Sequence, residues 1–188
     1  MFDFVELKTI FVIFHLVGVV LGMGAALMTD IMFIKGAKNK ILNAEEISFI
    51  SLGSRTVWVG LFLIIFSGVT LFSLNPDGYL NSSKFLTKML VAAVLTINGA
   101  IFHFKHLPFL RAQVDKDLTI SGEFRKKSIG LFISGAVSST SWFAALILGM
   151  LRKVPYEFKI IASVYFLILL GAILAAFLAR RMFLKNNI

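Results

Sequence analysis

The sequence predicts an all-α membrane protein, a bundle of five transmembrane helices with its N-terminus outside and its C-terminus cytoplasmic. Three observations lead there. Five apolar runs free of Asp, Glu, Lys and Arg, Thr9 to Thr29, Thr56 to Pro76, Met89 to Phe104, Ser128 to Leu151 and Ile160 to Ala179, compare with the roughly 20 residues that a spanning helix needs. Hydrophobic residues make up 58% of the chain and charged residues 15%, with a mean hydropathy of +0.88; a water-soluble domain of that makeup would expose too much apolar surface. Finally, the nineteen basic residues gather between the runs, thirteen on one side and six on the other, and the positive-inside rule then sets the orientation. Hydrocarbon offers the backbone no hydrogen-bond partners, so each run is expected to be a helix. The spans are expected at about 8–30, 47–74, 85–106, 128–151 and 159–181, in one domain covering 1–188.

Span one follows the opening MFDFVELK, where Asp3 and Glu6 precede Lys8. Its apolar stretch is too long for a signal-peptide core and reads as a first span. It carries His15, the small pair Gly18 and Gly22, the methionines Met23, Met28 and Met32, and Asp30 at its inner end. In span two, Ser51, Arg55 and Trp58 share a face by i, i+4, i+7 spacing. Arg55 either pairs with Asp30 or snorkels to the headgroups. Asn75-Pro76-Asp77-Gly78 then breaks the helix. Span three carries Lys84, Lys88, Asn98, His103 and His106, and the longest connection is expected from about Lys105 to Lys127. Span four sets Ser134, Ser138 and Ser141 on one face, beside Ser139, Thr140 and Trp142; hydroxyls bonded back to their own helix and close packing are the plain reading. After a turn at Pro155, span five carries Gly171 and Ala175, expected with Gly18 and Gly22 to mark close helix contacts.

The net charge of +9 lies in short loops between spans, so anionic lipid of the bilayer is the expected partner rather than nucleic acid. A homo-oligomer or a larger membrane partner stays open. With no cysteine, disulfides, thiolate metal sites and cysteine nucleophiles are excluded. There is no G-x-S-x-G turn and no H-E-x-x-H helix to point to a hydrolase.

Ionisable groups at membrane depth are candidate sites, since each costs at least ~2.5 kcal/mol to insert. At ~1.5 Å per residue, His15 lies about 10 Å below Lys8, and His103 about 28 Å below Lys84. Those depths speak against one haem clamped between the two histidines. His15 and Lys88, on parallel helices, are expected at similar depth in the outer third. On the helical wheel Lys88 and His106 coincide, with His103 about 60° away, one polar stripe that belongs against protein. His103 and His106, spaced i, i+3, either face one inner site or form an ordinary interfacial helix end with Lys105 and the following Leu107-Pro108.

The first span FHLVGVVLGMGAAL, the second SRTVWVGLFLIIFSGVTL and the third KFLTKMLVAAVLTINGAIFHFKHLPFL together resemble the helical core shared by copper-resistance D (CopD) membrane proteins and HemJ-type protoporphyrinogen oxidases. The likeness covers roughly the first three spans. It implies haem b as cofactor, with functional positions at His15 and Lys88 and less direct counterparts at Arg55 and Trp58. The CopD side implies copper handling, with Asn98 and Pro108 as matching third-span residues. His103 and His106 depart from the pattern. The expected assignments are therefore catalysis at Lys88, Arg55 and Trp58, cofactor binding at His15 and Lys88, and metal binding at His15, His103 and His106. Trp58 or Trp142 is expected to line the His15–Lys88 site.

Three functions compete on this reading. One is a haem-b redox protein, an oxidoreductase or electron-transfer component of a bacterial plasma membrane. Another is a metal-ion (copper) transporter or handling protein with His15, Asp30, His103 and His106 as stations. The last is an accessory membrane subunit without chemistry of its own.

Overall fold

The computed structural model describes residues 4–118, 122–152 and 154–185. It is 87% helical with no strand among the described residues. Five helices are long and apolar enough to cross a membrane. The chain runs through α1 (Phe4–Lys38), α2 (Ala44–Ser73), the single turn α3 (Pro76–Leu80), α4 (Ser83–Ile101), a π turn (Phe102–His106), α5 (Leu107–Arg111), α6 (Gly122–Met150) and α7 (Phe158–Lys185). The expected spans overlap these elements, two of them running one residue past a helix end, at Leu74 and Leu151, while most of the helices extend beyond the spans on at least one side. A helix of 35 residues such as α1 is roughly 50 Å long, beyond the ~30 Å hydrocarbon core, because charged flanks end the apolar run without ending the helix.

Local chemistry sets the boundaries. Asn43 closes a capping box on α2, its side chain accepting from the Glu46 amide at 2.7 Å while Glu46 accepts from the Asn43 amide at 3.2 Å. The breaker at residues 75–78 builds a helical turn rather than a plain turn. Asn75 caps it by accepting from the Gly78 amide, and Pro76, whose missing N–H is no loss at the first turn, starts it.

The long connection expected after span three is mostly helix. The chain continues through the π turn to Arg111, because Leu107, Phe109 and Leu110 are buried. Pro108 accounts for the π turn. In a straight α-helix its ring would strike the carbonyl four residues back, at Phe104, and the widened turn, in which the Leu107 amide donates to the Phe102 carbonyl, moves that group aside.

Two hydrophobic cores stack along the bundle. At the end carrying Lys35, Lys105 and Lys127, which we call the basic end, Leu42, Ile50, Leu107, Leu110, Leu118 and Phe124 form a cap core. Its two loops are tied by backbone hydrogen bonds from Asp115 to the Leu42 carbonyl and from Leu118 to the Lys40 carbonyl, at 2.9 and 2.8 Å. Deeper in the bundle Leu61, Val91, Leu95, Trp142 and Tyr165 form the second core. Outside, Val20, Leu52, Phe62, Phe104 and Leu167 stand exposed, an apolar surface suited to lipid. Of the residues in the charge count, Lys153 and the side chain of Lys185 lie outside the described residues.

The small-residue expectation holds in span one and fails in span five. A Cβ built on Gly60 would lie 2.6 Å from the Gly22 amide nitrogen, and one on Gly22 would lie 2.3 Å from Trp142 Cη2. Gly171 has nothing within 4 Å of a built Cβ, and Ala175 is exposed. The packed stripe of α7 instead follows Ala162, Tyr165 and Ala176, and a ~100° step per residue carries positions 171 and 175 off that stripe.

Candidate functional site

Polar side chains inside the bundle form two groups at different depths. In the group away from the basic end, His15 on α1 meets Ser67 on α2, with Nδ1 3.0 Å from Oγ. The Ser67 hydroxyl donates to the Leu63 and Ile64 carbonyls of its own helix, so its oxygen faces the imidazole as an acceptor. In the tautomer that donates from Nδ1 to this oxygen, Nε2 is the lone-pair nitrogen. Lys88 on α4 is half-buried and within Coulombic range of His15. Its ammonium has no hydrogen bond or ion pair among the described residues. Lys84, one turn earlier, donates to the Leu151 carbonyl at the end of α6. Trp142 is fully buried against Gly22, in the second core, and Trp58 lies in the other group.

That other group lies nearer the basic end. Ser54 Oγ is 2.9 Å from His103 Nδ1, and the Trp58 ring stands edge-on to the His103 ring at 6.4 Å. Asn98 and Ser134 hold each other twice: Asn98 Nδ2 donates to the Ser134 carbonyl and Ser134 Oγ donates to Asn98 Oδ1, both at 3.0 Å. Asp30 accepts from Ser139 Oγ at 2.8 Å. Between these residues lies a cavity of about 40 Å³, lined in part by Thr29, Asp30, Ser54, Trp58, Asn98 and Ser138.

Of the alternatives the sequence leaves open, some are absent. His103 and His106 do not face one site: His103 turns to α2, while His106 packs against α6, where a Cβ on Gly130 would meet its Cε1 at 2.9 Å. The π turn is the cause, since its wider winding replaces the α-helical phase on which the wheel rests. Arg55 is exposed and makes no ion pair with Asp30; among the described residues the salt bridge found is Lys127–Glu123. Ser51, expected on Arg55's face, is buried instead and accepts from the Arg111 guanidinium at 3.2 Å. No group of three His, Cys, Asp or Glu residues among those described could hold a metal ion.

Sequence reasoning missed Ser54, Ser67 and Thr29. Each is a small hydroxyl residue in an apolar run, and the long-range partners of Ser54 and Ser67 are set by how α1, α2 and α4 cross. The serines of α6 were legible as a face, and they divide their work: Ser134 braces Asn98, Ser138 lines the cavity, and Ser141 bonds the Tyr165 hydroxyl at 2.8 Å while donating to the Val137 carbonyl. A scan against protein-family models, a search of curated proteins and a search of solved structures all returned no match, and nothing in them identifies a CopD- or HemJ-like family.

Proposed function

We propose that this chain is an integral membrane protein of redox type that holds haem b in the half of the bundle away from the basic end. One observation carries the reading: an imidazole inside the bundle, held at Nδ1 by Ser67, stands within Coulombic range of an unpaired lysine. The donor set fits the group. Iron takes a neutral imidazole nitrogen whose other N–H is held by an outer acceptor, and Ser67 is such an acceptor. Lys88 supplies a cation without an acidic partner, suited to a propionate or a substrate carboxylate. When bound, haem supplies one-electron chemistry. The chain contributes the orientation of His15 and the charge of Lys88. The resemblance to the CopD and HemJ-type proteins supports the same pair of residues.

By the distribution of lysine and arginine, the basic end faces the cytoplasm and the N-terminus lies outside, in a bacterial plasma membrane. The copper-handling alternative draws no comparable support, since the three histidines stand on three different neighbours.

The test is the visible spectrum of the purified protein, oxidised and dithionite-reduced, for wild type and His15→Ala. We expect a Soret band with reduced α and β bands in the wild type and their loss in the variant. A wild type without haem absorption after expression in haem-replete cells overturns the reading.

A further inference from the structure

We infer that the cavity between α1, α2, α4 and α6 is a binding site for one small monovalent cation of the Na⁺ class. It is separate from the His15–Lys88 pair and does not rest on the haem reading. Three features of the cavity lead to this.

The first is an unsatisfied hydroxyl. Thr29 is 6% exposed, lines the cavity, and its Oγ1 has no hydrogen-bond partner among the described residues. Hydroxyls elsewhere in these helices donate to the carbonyl four residues back, as Ser51, Thr56, Thr70, Thr87, Thr96 and Ser141 do. Thr29 does not take that option. A buried polar atom without a partner is costly; this hydroxyl packs against Gly53 of α2, where a built Cβ would fall on it, and its residue forms part of the cavity wall.

The second is charge. Asp30, the next residue, has one hydrogen bond, from Ser139, and no cationic partner within the salt-bridge distance among the described residues. One carboxylate in a low-dielectric interior calls for one positive charge. A monovalent cation restores neutrality, whereas a divalent one would leave an excess charge.

The third is donor type and size. The wall offers oxygens, from Thr29, Asp30, Ser54, Asn98 and Ser138, and oxygen ligands suit hard cations. About 40 Å³ compares with the ~10–15 Å³ in the same measure that one water needs, which leaves room for an ion with a water or two. Gly135 makes the approach possible: a Cβ there would lie 3.2 Å from Asp30 Oδ1.

The experiment is thermal unfolding of the full-length protein in mild detergent, at constant ionic strength, as N-methyl-D-glucamine chloride is replaced by NaCl or KCl. Stabilisation by an ion that binds only the folded state follows mass action, so the wild-type Tm is expected to rise with Na⁺ and saturate, and to rise with K⁺ only at higher concentration. Asp30→Asn keeps the acceptor for Ser139 and removes the charge; Thr29→Val keeps the shape and removes the hydroxyl. Asp30→Asn is expected to abolish the Na⁺ response and Thr29→Val to weaken it. If one variant fails to fold, Ser138→Ala, expected to weaken the response, takes its place. A wild-type Tm indifferent to Na⁺, as a cavity holding only water would give, overturns the proposal. So does an unchanged Na⁺ response in the folded variants. Because the readout is Tm against salt, failure here is distinct from failure of the haem spectrum.

Discussion

At the scale of single residues, glycines decide how closely α1 and α2 approach. A methyl group at Gly60 would press on the backbone of Gly22, with no flexible side chain to yield. Gly60→Ala is therefore expected to destabilise the protein by about 1–3 kcal/mol through overpacking. Gly24 on α1 has open space around its built Cβ, so Gly24→Ala is expected to be neutral or to stabilise by up to about 1 kcal/mol from helix propensity. Thermal unfolding of the pair in one detergent checks both; equal Tm shifts would refute the contact as the cause. The residues that matter were unevenly legible in the sequence. His15, Asp30, Lys88 and Asn98 stand out because polar groups are rare in apolar runs. The hydroxyls that meet them are less plain: those of α6 show only as a face and Ser67 not at all, because a serine in a span is common, and Ser67 or Ser139 gains its meaning only from a neighbour 52 or 109 residues away in sequence.

At the scale of elements, the helices rest on ordinary capping chemistry wherever the chain leaves the apolar zone. The Asn43–Glu46 box starts α2 beside the cap core, and Glu46 itself is 6% exposed. Asn43→Ala is expected to cost about 1 kcal/mol, read as a lower Tm; no change in Tm would mean that the cap core alone fixes the helix start. The existence of the five long helices follows from hydrophobicity, and the sequence carries that signal plainly. Helix ends do not follow from it, since charge marks where hydrocarbon stops and not where hydrogen bonding stops. The π turn in particular depends on Pro108 acting on a carbonyl four residues earlier, an effect that a wheel drawn with one fixed angle per residue cannot register.

At the scale of the whole molecule, the two cores and the polar groups divide the bundle by depth. The His15–Lys88 pair belongs to the half away from the basic end, and the Asp30 cavity lies between the two cores, lined by Ala26, Val57 and Trp58 of the second core and by Phe102, which packs on the cap core. Orientation across the membrane is an inference from charge alone, and the chain's own composition makes it easy to test. With no cysteine in the sequence, single-cysteine variants carry no background. Tyr79→Cys, in the turn after α2, is expected to react with a membrane-impermeant maleimide added to intact cells, and Lys116→Cys, in the loop before α6, only after permeabilisation. The reverse pattern would invert the topology.

The π turn bears on what any related sequence would have to keep. A widened turn holds one more residue than the α-helical path it replaces, so a related sequence without it would align with a one-residue gap between Asn98 and Pro108. In such a sequence, histidines three apart would sit ~60° apart on one regular helix and could not reach both Ser54 on α2 and Gly130 on α6 as they do here. Change in that stretch should therefore come in concert: loss of the extra residue together with substitution at position 103, 106, 54 or 130.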